Sequence, residues 1–194
     1  MKNELKTGNR QLITANWHAI RYTLYAMLLA AGTLKAQTAA NVPTATAMFN
    51  TAQSCQTAPC ANSFALQSGF LLVDSVVVGD GVTYNYQSAW VNTTGSYTAP
   101  NLLHAYVCAD GACCVLTFGT SVASQFDALV NGFKSLGFVI DMDNSVVSSN
   151  LVNTVYSYSA SENFFLDTTE THNVTLSNGA TISVFEVILE YTPQ

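Results

Sequence analysis

Apolar residues in this chain fall mostly at every second position or in short blocks, which is the spacing of strands. "VTYNYQSAWV" (82–91) alternates Val82, Tyr84 and Tyr86 with Thr83, Asn85 and Gln87. "LLHAYVCA" (102–109) and "CCVLTFG" (113–119) predict an antiparallel pair across residues 110–112. "FALQSGFLLVDSVVVG" (64–79) predicts two short strands or one bent strand broken near Gly69. Further strands are expected at 138–142, 145–160 and 162–167. The C-terminal "HNVTLSNGATISVFEVILEY" (172–191) predicts a hairpin with a three-residue loop, Ser177-Asn178-Gly179. Its apolar phase switches between Val184 and Phe185, and its last strand reads as central to the fold.

One segment has helical spacing. Phe126, Leu129, Val130, Phe133 and Leu136 recur three and four apart within 121–137, with Asp127, Asn131 and Lys134 opposite and Gly137 as the stop. Gly132 inside that stretch costs about 1 kcal/mol relative to alanine. The expected fold class is therefore mostly β: an antiparallel β-sandwich or jelly-roll-like domain with one amphipathic helix, at about 121–137.

Charge divides the chain. Residues 1–36 carry Lys2, Lys6, Arg10, Arg21 and Lys35 against Glu4, whereas from Gln37 onward Lys134 stands alone against eleven acids. "YTLYAMLLAAGTL" (22–34) is uncharged and too short for the roughly 20 apolar residues of a bilayer span. Residues 1–36 read as a signal peptide or, if extended back through "LITANWHAIR" and retained, an N-terminal anchor helix. Residues 37–62, rich in Ala, Thr and Asn, read as an extended arm or linker, with Met48 and Phe49 docking it on the body. Residues 63–194 form a single β-rich domain.

Hydrophobic residues are 49% and charged residues 9% of the chain, the reverse of a disordered composition. One cation after residue 36 is a poor match for a phosphate backbone, so nucleic acid is excluded as a partner of the main domain. The expected location is secreted, cell-surface or extracellular. Expected partners are other copies of the chain or other extracellular proteins, and a membrane only if the N-terminal helix is retained.

In an exporting compartment the cysteines read as staples rather than ligands or nucleophiles, four of the five as disulfide candidates. Cys55 with Cys60 and Cys108 with Cys113 close small loops, but bonds between the arm and the hairpin are equally open. Cys114 is left unpaired as a small buried hydrophobe or a link between subunits. Zinc is disfavoured because no histidine completes the pattern. His104 and Cys108 on one strand stand about 13 Å apart, given roughly 3.3 Å per residue. Asp141 and Asp143 are weak calcium candidates, set against the ordinary role of Asp in turns. Trp90, Tyr84, Tyr86 and Tyr97 are the expected contact surface. No catalytic residues, no cofactor and no metal are expected.

Residues 82–108, with Thr94, Gly95, Tyr97, Ala99, Pro100 and then Tyr106, resemble the early strands of complement-C1q-like trimeric jelly rolls. The usual glycine-aromatic run after the proline is absent, and the 121–137 helix has no place in that fold. The resemblance implies a β-sandwich and nothing finer. The resulting expectation is an exported structural or assembly-forming subunit of a surface filament, surface layer or virion, without catalytic activity. The alternatives are a secreted monomeric binding domain for carbohydrate, or a secreted hydrolase.

Overall fold

The computed structural model describes residues 42–55, 57–88, 92–93, 96–97, 101–110, 114–148, 151–175 and 181–192. The compact unit of interest comprises Lys35–Val174 and Ile182–Gln194; a second unit, Met1–Leu34 with Thr175–Thr181, lies almost wholly outside the described residues. The predictions for residues 1–36 and for the 177–179 loop therefore fall outside them too.

Among the described residues the first elements are two helices, α1 (Ala45–Ser54) and α2 (Ala58–Gln67). Strands β1 (Phe70–Val78) and β2 (Gly81–Ser88) follow, then the two-residue strands β3 (Asn92–Thr93) and β4 (Ser96–Tyr97). Next are β5 (Leu102–Cys108), β6 (Cys114–Thr120) and helix α3 (Ala123–Ser135). The chain ends with β7 (Phe138–Val147), β8 (Leu151–Tyr158), β9 (Phe164–Thr175) and β10 (Thr181–Tyr191). Eight strands build one sheet in the order β1-β2-β5-β6-β10-β9-β8-β7, and β3 pairs with β4. The sheet is thus two four-stranded meanders joined through their last strands, β6 and β10, which pair antiparallel from Phe185–Thr120 to Tyr191–Cys114.

Mostly-β character and antiparallel pairing agree with the sequence pattern. Two features differ. Instead of two facing sheets there is one large sheet, and helices cover one of its faces. Among the described residues there are three helices rather than one, because residues 45–54 and 58–67 are helical rather than extended. Thr44 caps α1 by accepting the Ala47 N–H at 3.1 Å, and Pro59 sits in the first turn of α2, where its missing N–H costs nothing. Ala45, Met48 and Ala52 of α1, with Cys55 just beyond its end, lie three and four residues apart and are all buried.

The core lies between these helices and one sheet face. Leu103 and Ala105 of β5, Leu116 and Phe118 of β6, and Val187 and Leu189 of β10 are each fully buried there. Phe126, Leu129, Val130 and Phe133 of α3 meet them, as the spacing predicted. Phe49 of α1 stacks on Phe164 at 4.3 Å between ring centroids, so Met48 and Phe49 do dock α1 on the sheet. Gly132 has a structural reason: a Cβ there would lie 2.8 Å from Ala45 Cβ, so the glycine permits the close approach of α1 to α3. Gly137 ends α3 at φ +103°.

At the phase switch of β10, two adjacent apolar residues meet. Val184 and Phe185 point to opposite faces, and both are buried because the centre of the sheet is occluded on both sides.

Candidate functional site

A strand at the edge of a sheet has one row of N–H and C=O groups without a ladder partner. Among the described residues the sheet's edges are β1, paired with β2 alone, and β7, paired with β8 alone. The sequence fills both with strand-forming apolar residues. On β1, Leu71, Leu72, Val73, Val76 and Val77 are exposed, Val77 by 76%. On β7, Val139, Ile140, Met142, Val146 and Val147 are exposed, Val147 by 78%. Among the described residues only Leu66 and Leu151 are large exposed hydrophobics outside these two strands. Scattered surface apolar residues are ordinary, but their concentration on two sheet edges is not.

Neither edge carries the lysine or proline that commonly blunts one. Each has an irregularity instead. β1 bulges between Leu72 and Asp74, and the β7 register breaks between Asp141 and Val146. In that break, Asp141 is committed to a turn. Its carboxylate accepts the Asp143 N–H at 3.2 Å and the Asn144 side-chain amide at 2.8 Å. Ser145 bridges the gap, donating to the Asp141 carbonyl at 2.7 Å and accepting the Val155 N–H at 3.1 Å. Asp141 and Asp143, the calcium candidates of the sequence, thus sit in an Asx-type turn. Among the described residues no three metal-ligating side chains cluster.

The face opposite the helices carries a polar row across four strands. Asp74, Asn85, His104 and Thr117 are successive cross-strand partners. The Asn85 amide donates to Asp74, and its oxygen lies 2.7 Å from His104 Nδ1. An amide oxygen only accepts, so His104 Nδ1 carries a proton. The Thr117 hydroxyl, 2% exposed, has no hydrogen-bond partner. This row orients an imidazole inside a sheet face. No local motif marks it, because its members belong to four different strands.

A second histidine grouping was also missed. His172 Nδ1 lies 3.2 Å from Ser183 Oγ, and Nε2 lies 3.9 Å from the Glu170 carboxylate. The residue types match a nucleophile, base and acid. The acid contact is beyond hydrogen-bond length, however, so the carboxylate does not hold the ring in a fixed orientation.

The remaining sequence candidates are placed as follows. Tyr84 and Tyr86 project from β2 onto the helix-covered face. Tyr86 is 1% exposed, and burial pushes its phenol up to about 12. Trp90 lies outside the described residues, and so does the Tyr97 side chain. Cys55 and Cys60 form a disulfide with 5.4 Å between Cα atoms, tying the end of α1 to the first turn of α2. Cys108 is also disulfide-bonded, while Cys113 lies outside the described residues. Cys114 is free and buried, and burial drives its thiol up to about 12.

Comparison with known proteins finds no matching family model, no matching curated protein and no matching solved structure.

Proposed function

We propose that this chain is an exported, self-assembling structural subunit of a surface filament, surface layer or virion, without catalytic activity. The observation that carries the reading is the pair of exposed apolar edge strands at opposite sides of one sheet. Exposed edges of this kind recruit another strand, and apolar side chains on both faces add burial when they do so. Two such edges on one molecule allow growth, where a single edge allows only a dimer. The Cys55–Cys60 disulfide and the bonded Cys108 fit an oxidising destination. The near absence of positive charge after residue 36 fits a surface that meets other protein rather than nucleic acid.

Sedimentation velocity of the purified chain over a hundredfold concentration range tests the reading. The expected result is a series of species that lengthens with concentration. A single monomer boundary throughout would sink it. Intact mass of the protein from its native source tests the export half. A mass for residues 37–194 with four protected cysteines is expected, and a full-length mass with five reactive thiols would contradict it.

The polar row on the face opposite α1–α3, which meets solvent at exposed Asp74 and half-buried His104, favours a second reading, a secreted binding domain for a polar ligand such as carbohydrate. The buried Thr117 hydroxyl without a partner is the specific observation behind it. That reading predicts that a bound glycan shifts the His104 ring resonances. Unchanged resonances across a panel of glycans would remove it.

A further inference from the structure

We propose that copies join head to tail, the β1 edge of one pairing antiparallel with the β7 edge of the next, so that successive sheets merge into one. This rests on the self-assembly reading above and names its joint.

Strand direction supplies the first argument. Each assigned neighbour pair in the large sheet is antiparallel. The remaining neighbours, β9 and β10, are joined by only residues 176–180, too few for a parallel crossover. Direction therefore alternates across all eight strands, and the two edges run in opposite senses. A copy shifted sideways along the sheet presents its β1 antiparallel to β7, continues the alternation, and keeps every helix layer on one side.

The irregularities supply the second. β1 has a short regular stretch (Phe70–Leu72), a bulge, and a long one (Asp74–Val78). β7 has a long regular stretch first (Phe138–Asp141), a break, and a short one (Val146–Val147). Antiparallel pairing of β1 with β7 sets long against long and short against short. Pairing β1 with β1, or β7 with β7, about a two-fold axis sets long against short.

Size supplies the third. The six regular positions of β7 support roughly six ladder hydrogen bonds, inside the ~10 ± 5 of a typical interface. The exposed valines and leucines flank that ladder on both faces. The contact is heterologous and does not close on itself, so it builds open chains rather than dimers.

Two full-length variants test this. Leu71→Lys with Val77→Lys blocks the β1 edge, and Val139→Lys with Val147→Lys blocks the β7 edge. Circular dichroism and melting temperature confirm folding. Val77→Thr and Val147→Thr serve as milder versions if a lysine variant does not fold. Each blocked variant alone should be monomeric by light scattering, and an equimolar mixture should give a one-to-one heterodimer and nothing larger. A dimer formed by either variant alone, or a mixture that stays monomeric while the wild type polymerises, overturns the joint but leaves self-assembly standing. A wild type that never assembles removes both. If its β1 amides are also protected, a segment of the same chain occupies the edge.

Discussion

β10 and β1 are made of similar residues and have opposite fates. "SVFEVILEY" (183–191) and "FLLVDSVVV" (70–78) are both short, apolar and rich in branched side chains. In β10, Val187 and Leu189 are fully buried under the helices, and Val184 and Glu186 on the other face are buried as well. In β1, only Phe70 is buried. The difference lies in sheet order, since β10 has neighbours on both sides and β1 has one. The same apolar content stabilises the fold in the middle of the sheet and is left available for another molecule at its edge.

The central strands carry the stability on this view, and the edges carry the association. Ending the chain at Ser183 removes every β10 residue that pairs with β6, and we expect no cooperative thermal transition. Leu189→Ala, at a fully buried position, should cost about 2–5 kcal/mol in urea unfolding. Gly81→Ala should cost about 1–3 kcal/mol, because its Cβ would sit 2.6 Å from the Val107 carbonyl oxygen and the Tyr106 ring. Breaking the five-residue link with Cys55→Ser and Cys60→Ser should cost about 2 kcal/mol by loop-closure entropy, read from the same unfolding curves.

The buried thiol adds a pH signature. Cys114 keeps its proton to about pH 12 when folded but loses it near its ordinary value of 9.0 when unfolded. Between those values the unfolded chain binds fewer protons, so stability falls as pH rises from about 9 to about 12. Tyr86 acts in the same direction from its ordinary 10.0 upward. Melting temperatures across that window should fall less steeply for Cys114→Val, and an unchanged slope would contradict the assignment to the thiol. At the far end of the scale, Val77→Lys and Val147→Lys should alter monomer stability by no more than about 0.5 kcal/mol while changing association. An edge substitution that unfolds the monomer would erase the distinction between the two regions.

Local pattern revealed some of this and hid the rest for physical reasons. The α3 stripe and the alternation of β2 depend on neighbours a few residues away, and both are visible in the chain. The stripe Ala45, Met48, Ala52, Cys55 also has helical spacing, but three of its four members are small and read as linker composition. Tyr84 and Tyr86 show that alternation separates the two faces of a strand without saying which is covered. Here both are occluded at the centre, since Thr83 and Asn85 opposite them are also buried. Edge position is the least legible property, because it depends on which distant strands pair. Nothing local distinguishes "SVVV" at residues 75–78, which ends at an edge, from "VILEY" at 187–191, which ends in the middle. His104 gained its partners, and His172 its Ser183, in the same non-local way, from strands brought side by side.

Amide hydrogen exchange of the full chain, compared between dilute and concentrated samples, tests the central claim most directly. We predict that protection rises on assembly in Phe70–Val78 and Phe138–Val147 together, while β6 and β10, already paired on both sides, stay unchanged. Protection gained elsewhere, in only one of the two edges, or in neither, would contradict the account.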